Sequence, residues 1–133
     1  MIVIAIQKGI PSSPQILVVD DEVIVRDLLK RYFTSLHYQV IVASSAEQML
    51  NILESNRPDM ILLDLHMPGM GGLEALPRVR ALFKDLPILI LTAVDDEITA
   101  RQALNAGATD YVTKPVDLST LKRALTTHLL LAS

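Results

Sequence analysis

The chain has 133 residues and a formal net charge of −3; half of its residues are hydrophobic and none is cysteine. This length fits one domain with a real core, and the apolar content excludes a disordered chain. Without cysteine there are no disulfides or thiolate zinc sites. The basic residues are scattered, which argues against a nucleic-acid interface, and no apolar run is long enough for a membrane span.

Residues 1–14 precede the first predicted element. The stretch from Met1 to Ile6 is apolar but too short for a secretory signal. Pro11 to Pro14 has the composition of a linker. We therefore expect a leader and linker over residues 1–14, outside the domain. An extra edge strand or a self-association segment is the alternative interpretation.

Five short apolar runs have the composition of strands, and they lie at 16–19, 39–42, 60–63, 87–91 and 109–112. Between them, apolar residues recur every three or four positions, which predicts amphipathic helices. The first such stripe consists of Val25, Leu28, Leu29, Tyr32, Phe33 and Leu36. Five alternations predict an α/β fold of (βα)5 type, a doubly wound parallel five-stranded sheet with right-handed crossovers. By analogy with flavodoxin-like folds, the expected strand order is 2-1-3-4-5.

The helical segments carry start signals and one irregularity. Ser44 or Ser45 can cap the second helix. Gly71 or Gly72 opens the third helix, and Pro77 lies inside it. Because an internal proline lacks the N–H donor and clashes with an earlier carbonyl, we expect a kink or a late start in that helix.

The third apolar run, 60–63, leads directly into Asp64 and then into the turn at Pro68 and Gly69. The run is too short for a helix and is typical of a strand buried on both faces. A carboxylate at the carboxyl end of such a strand lies at the edge of the sheet where open α/β folds bind ligands. We interpret Asp64 as a nucleophile that takes up a phosphoryl group.

Polar residues also follow the other strands: Asp20 and Asp21 the first, Thr92 the fourth and Lys114 the fifth. In the expected order these strands are neighbours about 4.8 Å apart, so their polar ends converge. Three clustered carboxylates repel one another unless a cation is present, and Mg²⁺ suits such oxygen ligands. An aspartate can form an aspartyl phosphate, whose oxygens Mg²⁺, Lys114 and Thr92 would stabilise.

Four motifs in this order and spacing resemble the receiver domain of two-component response regulators, the CheY-like superfamily. They are Val18-Val-Asp-Asp-Glu22, Leu63-Asp-Leu-His-Met-Pro-Gly69 with Gly72, Leu91-Thr-Ala93 and Asp110-Tyr-Val-Thr-Lys-Pro115. Each motif is weak alone, and the full set is specific. The resemblance implies a receiver domain over residues 15–131.

The resemblance implies a role for each residue that would meet the phosphoryl group. Asp64 would be the phosphoacceptor, and Lys114 would pair with the phosphoryl oxygens. Thr92 would bond one oxygen and move toward it, while Tyr111 would turn inward as the aromatic switch. The peptide bond between Lys114 and Pro115 would be cis.

The same resemblance implies a metal site. Mg²⁺, with Mn²⁺ as a substitute, would be held by Asp21 directly, by Asp20 through water, by Asp64 and by the backbone carbonyl of His66. The imidazole of His66 would point to solvent rather than to the metal. No organic cofactor is expected.

The implied function is a phosphorylation-dependent switch. A histidine kinase or phosphotransfer protein would donate a phosphoryl group from its phosphohistidine. The surface formed by the fourth helix, fifth strand and fifth helix, roughly residues 96–130, would then signal to an output domain or partner protein, or form a homodimer. The domain would promote its own phosphotransfer and dephosphorylation without being a turnover enzyme. We expect a cytoplasmic protein with no direct contact to nucleic acid or membrane.

Three other functions fit less well. An aspartyl-phosphate phosphohydrolase needs a second acid two residues after the nucleophile, where this chain has His66. A flavin module needs a Ser/Thr/Gly-rich loop where this chain has Asp20, Asp21 and Glu22. A receiver-like docking module that never takes phosphate stays open. Gly71 also stands where the family often has aspartate, and His66 and Val94 occupy positions that influence access of water, so the phosphoryl lifetime stays open.

Overall fold

The computed structural model describes residues 13–93 and 95–132. The predictions for residues 1–12 and for Val94 lie outside the described residues. In the described part of the chain, no helix is long and apolar enough to cross a membrane.

Five parallel strands form one sheet in the order β2-β1-β3-β4-β5, as predicted. The strands are β1 (Gln15–Val19), β2 (Gln39–Ala43), β3 (Met60–Asp64), β4 (Ile88–Ala93) and β5 (Asp110–Lys114). The helices are α1 (Val23–Ser35), α2 (Ala46–Leu53), α3 (Gly72–Leu82), α4 (Glu97–Asn105) and α5 (Leu118–Ala132). The fold is therefore the expected flavodoxin-like (βα)5 arrangement.

The central strand β3 is buried along its whole length, as its uninterrupted apolar run predicts. Alternate residues of each strand face opposite sides of the sheet. Leu63 belongs to one apolar layer, which α2 and α3 complete with residues such as Met49 and Val79. Leu62 belongs to the other layer, which α1 and α5 complete with residues such as Phe33. Because both layers are filled, the central strands are fixed in position and so are the residues at their ends.

The structure shows which residues cap α2 and begin α3, and it places Pro77 inside α3. Ser45 caps α2, because its side chain accepts a hydrogen bond of 3.0 Å from the Gln48 N–H. Gly71 is the residue before α3, which begins at Gly72 and continues through Pro77. Of the two effects expected from this proline, a kink or a late start, the late start is therefore wrong. Pro77 lies on the exposed side of α3, and burial of Val79 on the other side stabilises a helix that the proline weakens.

The apolar stripe of α1 is narrower than its sequence pattern suggests. Leu29 and Phe33 are buried, but Leu28 is 52% exposed. A helix packed on a sheet buries one stripe, and Leu28 lies outside it. In α5, three leucines that recur every fourth residue, Leu121, Leu125 and Leu129, are all buried.

Candidate phosphoacceptor site

The carboxyl edge of the sheet gathers the polar residues that end the strands. Asp20 follows β1 directly, Asp64 is the last residue of β3, and Lys114 is the last residue of β5. Thr92 lies in β4 and pairs in register with Thr113 of β5. Since β1, β3, β4 and β5 are consecutive in the sheet, the ends of these strands are neighbours along one edge.

Three carboxylates form a cluster at this edge. Asp20, Asp21 and Asp64 each offer an oxygen, and these oxygens lie within 4.8 Å of one another. Asp20 is fully buried and Asp64 is 1% exposed, whereas Asp21 is exposed. Two carboxylates of the cluster are therefore buried, and the third, that of Asp21, reaches solvent.

Asp20 lies in an unfavourable environment for a charged carboxylate. Burial raises the pKa of its carboxyl; the Glu22 backbone N–H opposes the rise, the Asp64 carboxylate adds to it, and Lys114 opposes it. Its Oδ1 accepts a 2.9 Å hydrogen bond from the Glu22 N–H. Its buried Oδ2 has no hydrogen-bond partner among the described residues. A hard divalent cation would satisfy that oxygen and relieve the repulsion, so this donor set fits Mg²⁺ or Mn²⁺.

Lys114 supplies positive charge beside the carboxylates. Its Nζ lies 3.3 Å from Asp64 Oδ1 and 3.8 Å from Asp20 Oδ2. Asp64 Oδ1 also accepts a 3.1 Å hydrogen bond from the His66 backbone N–H. The peptide bond between Lys114 and Pro115 is cis, as expected. The ammonium is thus close enough to contact a group bonded to Asp64.

Thr92 and Tyr111 differ in exposure. Thr92 is fully buried, and its Oγ1 has no hydrogen-bond partner within residues 13–93 and 95–132. Buried hydroxyls are normally satisfied, so an unsatisfied one near the carboxyl edge of the sheet calls for an explanation. Tyr111 is 38% exposed on β5, and its backbone N–H donates to Asp110 Oδ1. The two predicted switch residues therefore lie on neighbouring strands, with Thr92 buried and Tyr111 partly exposed.

Residues 16–126 match the family model for the response regulator receiver domain. The chain belongs to this family. Among curated relatives, the receiver domain is 42% identical over 109 residues to the response regulator MprA of Mycobacterium tuberculosis strain ATCC 25177 / H37Ra, covering 82% of this chain and 47% of the relative. The MprA of Mycobacterium sp. strain KMS is 42% identical over 107 residues, covering 80% of this chain and 46% of the relative. The chain spans about half the length of these curated relatives.

Solved structures agree with the receiver fold. A putative response regulator from Chloroflexus aurantiacus J-10-fl superposes with a TM-score of 0.84 at 34% identity, covering 89% of this chain and 98% of that one. The Vibrio cholerae chemotaxis protein CheY4 gives 0.81 at 29% identity, covering 87% and 98%. NtrX from Brucella abortus gives 0.83 at 28% identity, covering 88% of this chain and 27% of that one. These likenesses to response regulators agree with the match to the receiver-domain family.

Sequence reasoning missed two polar contacts near the site of this receiver domain. The His66 side chain is 51% exposed, as expected, but its Nε2 lies 3.5 Å from Asp96 Oδ2. The Glu47 carboxylate accepts a 3.5 Å hydrogen bond from the Met70 N–H in the loop after β3. Asp96 carried a local signal, because an acid just before a helix is a good cap. No local pattern predicts its contact with His66, which depends on how two loops meet.

Proposed function

We propose that this receiver domain is a phosphorylation-dependent switch whose phosphoacceptor is Asp64. A histidine kinase or phosphotransfer protein would be the donor. The observation that carries the proposal is the Lys114 ammonium 3.3 Å from Asp64 Oδ1, beside a cluster of three carboxylates. A buried nucleophile, a neighbouring cation and a site for a hard metal ion are what phosphoryl transfer to a carboxylate needs.

In the proposed reaction a carboxylate oxygen of Asp64 attacks the phosphorus of the donor's phosphohistidine. The phosphorus–nitrogen bond breaks, and its electron pair leaves with the imidazole. Lys114 stabilises the charge on the transferred oxygens. Asp20, Asp21, Asp64 and the His66 carbonyl would hold Mg²⁺, or Mn²⁺ in its place. When bound, the ion supplies positive charge to the phosphoryl oxygens.

Thr92 would report the phosphoryl group to the rest of the domain. Its buried Oγ1 needs a hydrogen-bond acceptor, and a phosphoryl oxygen on Asp64 would provide one. Movement of Thr92 toward that oxygen would let Tyr111, now 38% exposed, turn inward. The surface formed by α4, β5 and α5 would then change shape and signal to an output domain, a partner protein or a second copy.

The proposal extends to the boundaries and the setting of the domain. Residues 15–131 form the receiver domain, with residues 1–14 as a leader, and the family match at 16–126 lies within these limits. The domain promotes transfer to and loss from Asp64 without repeated turnover of a substrate. Its place would be the cytoplasm, where histidine kinases phosphorylate their partners.

Intact mass spectrometry after incubation with acetyl phosphate tests this function. We expect a gain of one phosphoryl group that requires Mg²⁺ and is absent from Asp64→Asn. A matched control is Asp59→Asn, because Asp59 directly precedes the other end of β3, where its carboxylate accepts from the Gln15 N–H. This variant should still be phosphorylated. No gain with any donor, together with no binding of Mg²⁺, would instead identify a docking module that does not use phosphate.

A further inference from the structure

The loop after β3 and the first turn of α4 are joined by one side-chain contact. His66 Nε2 in the loop lies 3.5 Å from Asp96 Oδ2, just before α4. The His66 side chain is 51% exposed and that of Asp96 is 28% exposed. A neutral imidazole protonated at Nε2 can donate to a carboxylate, and so can a charged one. The contact is therefore available in both protonation states.

Asp96 uses its two carboxylate oxygens for different purposes. Its Oδ1 accepts a 3.1 Å hydrogen bond from the Thr99 N–H and so caps α4. Hydrogen bonds from Thr99 lower the pKa of this carboxyl, which keeps it ionised. Its Oδ2 is left for His66. The cap fixes the carboxylate to the helix, and the second oxygen extends that connection to the loop that follows Asp64.

The other end of α4 is held much more firmly. Arg80 donates a 2.7 Å hydrogen bond from Nε to the carbonyl of Gly107, two residues beyond the end of α4. Its Nη1 also donates to the carbonyl of Leu86, at 2.6 Å. These bonds are short and partly buried, whereas the contact between His66 and Asp96 is long and half-exposed. We therefore expect side-chain contacts to hold the carboxyl end of α4 more firmly than its amino end.

We propose that Asp96 is a positioning residue that connects the imidazole of His66 to the amino end of α4. The loop after the phosphoacceptor and the first turn of α4 then move together. A change at Asp64 would reach α4 through His66 as well as through Thr92. The dynamic coupling needs no phosphate, while its use in signalling rests on the proposed function.

Amide hydrogen exchange of the unphosphorylated domain tests this coupling directly. Asp96→Ser keeps a capping side chain but is too short to reach His66. His66→Ala removes the other partner and leaves the cap intact. Each variant should raise exchange at Thr99 and Ala100 and at residues 66–70 by about two- to fivefold, the scale of one exposed ion pair. In the double variant the two effects should not add, because the same contact has been removed.

The control is Asp117→Ser, at the start of α5. The Asp117 carboxylate also serves a helix start, accepting from the Thr120 hydroxyl and the Ser119 N–H. This variant should change exchange in the first turn of α5 and leave α4 and residues 66–70 unaltered. The proposal is wrong if His66→Ala leaves Thr99 exchange unchanged, or if the two effects add in full.

A second measurement links the contact to phosphoryl chemistry. Asp96→Ser should change the rate of phosphoryl loss from Asp64 by about two- to fivefold, and Asp117→Ser should not. If the domain gains no phosphoryl group at all, the proposed function fails while the exchange experiment still decides the coupling. If Asp64 is phosphorylated and exchange is coupled but the rate of loss is unaltered, the role in signalling is overturned.

Discussion

Lys114 lies between two buried carboxylates, with its Nζ 3.3 Å from Asp64 Oδ1 and 3.8 Å from Asp20 Oδ2. Asp21 adds a third carboxylate to the cluster. One ammonium cannot balance three carboxylates, and two of them are removed from water. In the absence of a metal ion, the pocket therefore opposes folding, and its charged residues limit the stability of the domain.

Replacement of Asp20 by Asn should stabilise the metal-free protein and abolish its response to Mg²⁺. Asn keeps an oxygen that can accept from the Glu22 N–H, and it replaces a buried charge, which the Asp64 carboxylate repels, with a neutral amide. Because a buried charge costs more than a buried neutral amide, we expect a gain of about 1 kcal/mol at pH 7. Urea unfolding with and without Mg²⁺ measures both effects. A destabilised Asp20→Asn protein would contradict this view of the pocket.

The pH dependence of that gain follows from the pKa of Asp20. Its value in the folded state is raised above 3.8, so the folded protein holds this proton to higher pH than the unfolded chain does. The resulting stabilisation is fully present below pH 3.8 and is lost as pH rises through the folded pKa. The difference in unfolding free energy between Asp20→Asn and wild type should therefore grow with pH across this window. A difference independent of pH would show that charge is not the cause.

Thr92→Val should separate stability from signalling. The buried Thr92 hydroxyl has no hydrogen-bond partner in the described part of the chain, and valine has nearly the same shape. Removing this hydroxyl should therefore leave the unphosphorylated domain as stable as wild type or about 1 kcal/mol more stable. Thermal unfolding measures that change. Once Asp64 is phosphorylated, the wild type should change amide exchange in α4 and β5, and Thr92→Val should not.

Thr92→Ser provides the matched control for this substitution, because serine keeps a hydroxyl at the same position. It should retain the exchange response to phosphorylation. If Thr92→Val responds as the wild type does, the hydroxyl does not report the phosphoryl group.

Lys114→Ala should lower both the stability of the metal-free protein and the rate of phosphoryl transfer. Loss of the ammonium leaves Asp20 and Asp64 facing each other without the nearby cation, so the metal-free protein should be less stable. Transfer to Asp64 should slow by about 10²-fold, as expected when one charged donor to the transition state is lost. Intact mass followed over time gives this rate. Lys122→Ala, an exposed lysine of α5, should react as the wild type does.

The sequence was sufficient for the sheet because each strand of this fold is marked locally. An apolar run such as 60–63 can only be buried on both faces, and Asp64 then has to lie at the edge. Leu28 shows where pattern stops being informative, because its spacing fits the α1 stripe and yet it is 52% exposed. Pro77 is a similar case, since packing of α3 overrides a local penalty. A sequence pattern describes one helix or strand at a time, whereas the exposure of Leu28 and the helical conformation at Pro77 depend on which elements pack against that helix.

For the same reason, the local sequence pattern does not predict contacts between segments that are distant in the chain. Arg80 lies in α3, but its guanidinium donates to the carbonyls of Gly107 and Leu86 and to the Thr109 hydroxyl. The sequence pattern predicts that an arginine at this position is a surface residue of an amphipathic helix. Only the fold brings these acceptors together around it. Burial lowers the pKa of Arg80, with Asp85 opposing the change, which reflects how far the group has left water.

Arg80 should therefore be a major source of stability at the amino edge of the sheet, far from Asp64. Arg80→Ala leaves carbonyls of Gly107 and Leu86 without a donor, and we expect a loss of about 2 kcal/mol. Thermal and urea unfolding measure this loss. Arg80→Lys should recover only part of it, because an ammonium cannot reproduce the planar set of donors. The neighbouring exposed residue gives the control, since Arg78→Ala should change stability by less than about 0.5 kcal/mol.

The same contact explains why residue 107 must be glycine. Its φ is +121°, and a Cβ there would lie 2.7 Å from Arg80 Cγ. Gly107→Ala should therefore destabilise wild type through both backbone strain and displacement of the Arg80 side chain. In an Arg80→Ala background the second cost disappears, so Gly107→Ala should cost less there. Equal costs in both backgrounds would mean that the glycine is required by its backbone conformation alone and that Arg80 does not constrain the end of α4.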